Sequence, residues 1–114
     1  MSRVPWSPTI HDAVERFCGE VRRRFQQRVR EIVLFGSQAR GDADEESDVD
    51  LLVVIDELTE AERKLVFNLA YDAGAAAEEF VALSPLPYST AQTAGLRARE
   101  RRLMLDISRD GVAL

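Results

Sequence analysis

The sequence predicts a single α/β domain with a small mixed β-sheet of about three strands and helices packed on it. The chain has 114 residues, which is the size of one domain. Short apolar segments rich in β-branched residues alternate with longer segments that have the periodicity of amphipathic helices. No linker rich in Pro, Gly or Ser divides the sequence. Residues 1–114 are therefore expected to form one domain.

The first half of the chain predicts one helix followed by two strands. Ser7 and Pro8 are a helix-start signal, with proline at the first helical position. Apolar residues then recur every three or four positions, which predicts a helix over residues 8–27. Residues 29–35 and 48–55 are short, apolar and rich in valine, isoleucine and leucine, which is typical of buried strands.

The second half predicts two helices with a strand between them. A Thr-x-x-Glu capping box begins a helix that continues to about residue 78. A third strand is predicted over 80–83 and is expected to stop at Pro85 and Pro87, because proline cannot donate a ladder hydrogen bond. A last helix is expected to end at Gly111.

Composition and charge exclude several classes of protein. The net charge of −5 gives no general attraction for nucleic acid, so direct DNA binding is not expected. The longest apolar run, 51–55, is far shorter than the about 20 residues that a membrane span needs. The single cysteine, Cys18, excludes an internal disulfide. With no visible secretory signal, a cytoplasmic location is expected.

The chemistry is concentrated between the first two predicted strands. Asp48 and Asp50 are two positions apart, so on a strand they would lie on one face, about 6.5–7 Å apart. Two such carboxylates repel each other unless a cation lies between them, and Mg²⁺ favours oxygen ligands of this kind. Gly36 and Ser37 directly follow a strand and can hold a phosphate with backbone N–H groups. This combination is typical of phosphoryl or nucleotidyl transfer.

A Gly-Ser pair at 36–37 is followed, after ten intervening residues, by an Asp-x-Asp pair at 48–50. This pattern resembles the signature of the DNA polymerase β-like nucleotidyltransferase superfamily. The similarity is closest to its small stand-alone members, the minimal nucleotidyltransferases, and implies a fold like the palm of polymerase β. It also implies that Gly36 and Ser37 bind the β- and γ-phosphates of a nucleoside triphosphate. Asp48 and Asp50 would be the catalytic residues and would ligate two Mg²⁺ ions. Arg40 is either a phosphate contact or a solvated surface residue.

The sequence departs from the family pattern at one place. The family usually has a third carboxylate on the neighbouring strand, but residues 80–84 contain no acid. Glu78 and Glu79 come just before this strand and are interpreted as the end of the preceding helix. The alternative is that one of them substitutes for the third carboxylate. Without a third carboxylate, a partner supplies a base, turnover is slow, or activity is lost.

Other prominent side chains have no motif around them. Tyr71 and Tyr88 are expected to be structural, and His11 is expected to be a surface residue. Two groups of arginines are interpreted as solvated helix faces, with an acidic partner or RNA as the alternative.

The resemblance also implies a substrate and a partner. Stand-alone members of the family are often the antitoxin of a small helical HEPN-domain toxin, and they transfer AMP from ATP to a toxin tyrosine. The length of 114 residues leaves no room for an acceptor-binding domain, which favours this role and is also compatible with a homo-oligomer. Two alternatives remain: nucleotide transfer to a small molecule such as an aminoglycoside-like antibiotic, and a non-catalytic binding module that keeps the fold.

Overall fold

The computed structural model describes residues 7–36, 48–99, 107 and 111–114. A 3₁₀ turn, Gln26–Arg28, joins the first helix to the first strand. The helices and strands follow in the order α1 (Pro8–Phe25), β1 (Val29–Phe35), β2 (Val49–Ile55), α2 (Glu60–Ala75), β3 (Leu83–Ser89), α3 (Thr90–Arg99) and β4 (Val112–Ala113). The predicted α/β class is confirmed.

The described strands form one mixed sheet in the order β3-β2-β1-β4. β1 is antiparallel to both β2 and β4, and β2 is parallel to β3. The sheet has four strands where about three were predicted. β4 has only two residues, so its sequence is too short to show the alternation by which a strand is recognised.

The predicted position of the third strand was wrong. β3 begins at Leu83 and includes both Pro85 and Pro87, which were expected to end it. Because β3 lies at the edge of the sheet, only alternate residues of the strand bond to β2. Val49 donates its backbone N–H to the carbonyl of Ala82 at 2.9 Å. Ala82 and every second residue after it therefore face β2, and the residues between them face away from it. The proline nitrogens therefore face the open edge, where no donor is needed.

The first helix matches its prediction at its start and ends slightly earlier. The Ser7 hydroxyl accepts a hydrogen bond from the backbone N–H of Ile10, and Pro8 occupies the first turn. The helix ends at Phe25, two residues before the predicted end, because Gln26 adopts a φ of 51° that an α-helix cannot continue. Among the described helices, none has both the length and the apolar character that crossing a membrane requires.

The second helix starts at the predicted capping box. Thr59 accepts from the N–H of Glu62, and the Glu62 carboxylate accepts from the N–H of Thr59, both at 3.1 Å. The helix ends at Ala75, so Glu78 and Glu79 lie in the bends after it and the interpretation that they end the helix was wrong. Val66, Ala70 and Ala73 are among the α2 residues that enter the core.

The sheet separates two apolar clusters. The larger lies between one sheet face and the helices α1 and α2, and it contains Phe17, Val21, Leu34, Val49, Leu51, Val53, Ile55 and Val66. The smaller lies on the opposite face and contains Phe35, Leu52, Val54 and Ile107, with Val33, Leu86 and Tyr88 packed against it. Since successive strand residues alternate between faces, this division fixes the face on which each polar residue of β2 lies.

Candidate active site

Gly36 and Asp50 meet where β1 ends and β2 begins. The antiparallel register pairs Phe35 with Asp50, so the next residue of the chain lies beside the Asp50 side chain. Gly36 has a φ of 76°, a conformation that side chains with a Cβ rarely adopt. A Cβ at this position would lie 2.4 Å from Oδ2 of Asp50. The absence of a side chain at Gly36 therefore makes room for the Asp50 carboxylate.

Asp48 and Asp50 lie on either side of Val49, which is buried in the larger core. Alternation along the strand then places both acidic residues towards the other sheet face, which α1 and α2 do not cover. Asp48, just before β2, is exposed, and Asp50, within β2, is half-buried. Two carboxylates thus lie where the inner strand β2 begins, one open to solvent and one partly enclosed.

Ser37 and Arg40 lie outside the described residues. Their predicted contacts with nucleotide phosphates stay predictions. The described end of this segment is Gly36, which directly precedes Ser37.

The parallel register shows what stands where a third carboxylate would be expected. Asp50 is paired with Ser84 on β3, and Ala82, just before β3, accepts a hydrogen bond from the N–H of Val49. No residue of β3 is acidic. Glu78 and Glu79 are exposed in the bends that lead into β3. The register thus leaves Asp48 and Asp50 without an acidic neighbour on the described part of that strand.

The acidic pair fits a hard divalent cation better than a soft one. Both side chains offer oxygen ligands, which Mg²⁺ prefers. Gly36, which has no Cβ, leaves space beside Oδ2 of Asp50. Another described group of candidate ligands, His11, Asp12 and Glu15, lies on the surface of α1. His11 contacts Glu15 at 3.5 Å as neighbouring turns of a helix commonly do, and this group is not assigned a metal.

A polar network fixes the opposite end of β2. Arg28 donates to both carboxylate oxygens of Glu62, at 2.7 and 2.8 Å, and to the carbonyl of Asp56 at 3.1 Å. The hydrogen bond from Arg28 lowers the pKa of Glu62 to about 2. The pKa of Asp56 is lowered too, first by the Thr90 hydroxyl and then by Arg30. These contacts hold the connection from β2 to α2 and are structural in character.

Sequence reasoning missed the exposure of aromatic side chains on α2. Tyr71 was expected to be structural, but 65% of its surface is exposed. The signal was present in the sequence: the predicted apolar positions of this helix include Leu65, Val66 and Leu69, and neither Phe67 nor Tyr71 belongs to that set.

Comparison with known proteins identifies related sequences. The family model described as "Nucleotidyltransferase domain" matches residues 14–99. "Putative protein adenylyltransferase MJ0604" of Methanocaldococcus jannaschii is 46% identical over 44 residues, which are 39% of this chain and 44% of that protein. "Putative protein adenylyltransferase MJ0141" of the same organism is 36% identical over 62 residues, 54% of this chain and 63% of that protein. The chain spans about half the length of these curated relatives.

Solved structures share the fold. A "putative nucleotidyltransferase from Sulfolobus solfataricus" superposes with a TM-score of 0.52 at 18% identity, over 98% of this chain and 90% of that one. A toxin–antitoxin structure with AMP-PNP gives a TM-score of 0.54 at 24% identity, over 87% and 70% of the two chains. A mutant of the toxin–antitoxin pair MntA-HpeT gives 0.53 at 22% identity, over 88% and 70%. At these identities, the likeness shows the fold alone.

The family match covers most of the chain. Residues 14–99 include β1, β2 and β3 together with Gly36, Asp48 and Asp50. The structural neighbours share the fold. The chain therefore belongs to the nucleotidyltransferase domain family.

Proposed function

We propose that this chain is a Mg²⁺-dependent nucleotidyltransferase that transfers AMP from ATP to an acceptor hydroxyl, with release of pyrophosphate and of the hydroxyl proton. The observation that carries the proposal is the contact between Gly36 and Asp50 at the start of β2, with Asp48 on the same sheet face. A backbone turn without a Cβ beside the Asp50 carboxylate, with a second carboxylate on the same sheet face, suits a metal-bound triphosphate. Family membership supports the reaction class.

Each residue of the proposed site has a separate task. Asp48 and Asp50 would hold Mg²⁺, which would neutralise charge on the phosphates during transfer. Gly36 allows the backbone to approach a phosphate closely, and Ser37 would donate its N–H and hydroxyl to the β- and γ-phosphates. Arg40 would add a phosphate contact. The half-buried position of Asp50 keeps its carboxylate in one place between β1 and β3.

The proposed acceptor is a tyrosine of a small helical HEPN-domain toxin, which would make this chain an antitoxin. Two relatives carry the name of protein adenylyltransferases. Two structural neighbours are toxin–antitoxin structures, one of them with AMP-PNP. These similarities support a protein acceptor over a small molecule.

A non-catalytic role is the second candidate, and one observation favours it. Ser84 stands in register with Asp50, where an acidic residue would complete a carboxylate triad. In this role, the chain would bind and neutralise its partner by contact alone. The two candidates differ in whether the Asp48 and Asp50 carboxylates are needed.

The experiment incubates the chain with ATP labelled at the α-phosphate, Mg²⁺ and the protein encoded by the neighbouring gene. We expect label on that protein and an increase of its intact mass by one AMP. Asp50→Asn and Asp48→Asn should each lower the rate by about 100-fold or more, because an amide cannot supply the metal with a charged ligand. Asp12→Asn, an exposed acid on α1, is the matched control and should leave the rate unchanged.

Label transfer that survives both Asn substitutions would refute the assigned site. Neutralisation of the partner by wild-type chain and by both Asn variants, with no label transferred, would establish the non-catalytic role instead.

A further inference from the structure

Three aromatic side chains form an exposed group on one side of the molecule. Phe67, Tyr71 and Phe80 have exposed fractions of 44%, 65% and 61%, and they are the large hydrophobic residues left exposed in the described part of the chain. Phe67 and Tyr71 are four positions apart on α2, so they lie on the same helix surface. The ring centroids of Tyr71 and Phe80 are 5.7 Å apart with the planes inclined by 52°. We call these three residues the aromatic patch.

The patch is not part of the core that α2 covers. Val66, Ala70 and Ala73 bury the other side of the helix against α1 and the sheet. Exposed aromatic rings lose the free energy that their burial would supply, about 1.5–3 kcal/mol for a side chain of this size. Clustered exposed aromatics are typical of protein-binding surfaces, where such residues contribute most of the binding free energy.

The patch and the candidate active site lie at the same end of the sheet, the patch on the α2 side and the two acids on the opposite face. Val81, directly after Phe80, donates its N–H to the carbonyl of Gly74 at 3.1 Å. A Cβ on Gly74 would lie 2.0 Å from the Val81 carbonyl oxygen, so the glycine permits this close approach. The next residue, Ala82, accepts the N–H of Val49, which lies between the two acids. Only two Cα–Cα steps of about 3.8 Å separate Phe80 from Ala82.

The charges around the patch indicate what kind of partner fits it. Asp72, Glu78 and Glu79 are exposed beside it in sequence. Lys64 is exposed at the far end, one helical turn before the first aromatic residue. A surface with an aromatic centre and an acidic border is complementary to an apolar side chain surrounded by Lys and Arg.

We infer that the aromatic patch is the docking surface for the acceptor protein of the proposed reaction. The acceptor presents an apolar side chain to Tyr71 and Phe80, and basic residues to Glu78 and Glu79. Docking there holds the acceptor at the end of the sheet where β2 begins, so that a hydroxyl reaching past this end can meet Asp48 and Asp50 on the opposite face. This inference rests on the proposed function, but it concerns acceptor binding and not nucleotide binding.

The test compares the double variant Tyr71→Ser/Phe80→Ser with wild-type chain in the labelling assay, with the neighbouring gene's product as acceptor. We expect KM for the acceptor to rise at least about tenfold, as for the loss of interface hot spots. KM for ATP and kcat at saturating acceptor should stay unchanged. Arg24→Ser, an exposed change on α1, is the control and should alter none of these constants. An unchanged acceptor KM in the double variant overturns the inference.

A second variant tests the charge border without changing an aromatic residue. Glu78→Lys/Glu79→Lys should also raise the acceptor KM, and the increase should diminish at high salt because charge complementarity is screened. Circular dichroism and thermal unfolding show whether each variant is folded. An unchanged acceptor KM in either double variant overturns the inference.

Binding measurements separate this inference from the proposed function. If wild-type chain transfers no nucleotide, the proposed function fails, and calorimetric titration of the same acceptor protein into wild-type chain and the double variant still tests the patch. Equal affinities, or no binding to wild-type chain, overturn the docking surface. Sedimentation of the chain alone gives the remaining outcome: a dimer that the double variant abolishes would assign the patch to a second copy and overturn the inference.

Discussion

Gly36 has two properties that separate it from the other glycines in the described part of the chain. Its φ is positive, and the nearest atom to its missing Cβ is a carboxylate oxygen of Asp50. Because the φ of Gly36 is positive, a residue with a Cβ would adopt a strained backbone conformation there. Its Cβ would also displace the Asp50 side chain. The candidate site therefore depends on this residue for its shape as well as for phosphate approach.

Gly36→Ala should lower nucleotide transfer strongly while leaving the chain folded. The new Cβ would meet Oδ2 of Asp50 at 2.4 Å, so the carboxylate must turn away. The backbone strain should reduce the free energy of unfolding by about 1–2 kcal/mol. Transfer rates and urea unfolding curves measure the two effects.

Gly19→Ala is the matched control for this prediction. Nothing lies within 4 Å of a Cβ at Gly19, which is inside α1. Alanine in a helix interior should raise the free energy of unfolding by up to about 1 kcal/mol and leave transfer unchanged. Equal transfer by the two variants would contradict the role given to Gly36.

The sequence predicted the placement of single side chains along a strand better than their contacts with other elements. The Asp-x-Asp spacing predicted a shared face for Asp48 and Asp50, because strand periodicity is local. The contact between Gly36 and Asp50 could not be predicted, since it depends on the register between β1 and β2. Tyr71 was interpreted as structural although it lies outside the predicted apolar positions of its helix.

At the scale of elements, Arg28 joins the 3₁₀ turn before β1 to the start of α2. Its guanidinium contacts the Glu62 carboxylate and also lies 5.5 Å from the ring centre of Phe25. Glu62 at the same time completes the capping box of α2 with Thr59. One carboxylate thus serves both the helix start and the link to α1.

The Glu62 contacts make stability depend on acid. The pKa of Glu62 in the folded chain is about 2, below its usual 4.5. Because the folded-state pKa is the lower one, the stabilisation is complete above about pH 4.5 and is lost as the pH falls towards 2. Glu62→Gln keeps a side chain that can cap the helix but removes the charge. Its Tm should fall less than that of wild type over this pH range.

Glu31→Gln, an exposed change on β1, is the control for the pH experiment. Its Tm should follow the wild-type curve at every pH. Parallel Tm curves for wild type and Glu62→Gln between pH 4.5 and 2 would show that the Glu62 contacts do not account for the acid sensitivity.

Gly74 has a packing role where α2 meets the segment that leads into β3. Gly74→Ala would normally stabilise a helix by about 1 kcal/mol. Here the added Cβ would lie 2.0 Å from the Val81 carbonyl oxygen, which is backbone and cannot turn aside. We expect a net loss of about 1–3 kcal/mol, as for overpacking, measured by urea unfolding. A gain in stability like that expected for Gly19→Ala would show that the backbone at Val81 shifts without a cost in free energy, and would contradict this packing role.

Element bounds were predicted well where the signal was local. β1 was predicted over 29–35 and is observed as Val29–Phe35, and the capping box located the start of α2. β3 was misplaced because proline was interpreted without knowledge of which strand lies at an edge. β4 was missed because its two residues owe their strand geometry to pairing with β1.

At the scale of the whole molecule, one face of the sheet packs in the larger core and the other carries the candidate site. The helices α1 and α2 bury the first face in the larger core. Asp48 and Asp50 lie on the second, beside the smaller cluster that includes Ile107. The alternation of apolar segments predicted this class of fold, while the order and direction of the strands depend on contacts distant in sequence.

The two prolines of β3 bear on how this molecule behaves at high concentration. Their nitrogens offer no hydrogen to a strand arriving from solution, and the Pro87 carbonyl is already bonded to Arg63 at 2.8 Å. An outer strand built in this way gives no template for adding further backbone, which is how many proteins begin to aggregate. Copies of the chain are thus discouraged from joining into continuous fibres along that border. In the described part of the chain, the strand at the other border, β4, has only two residues.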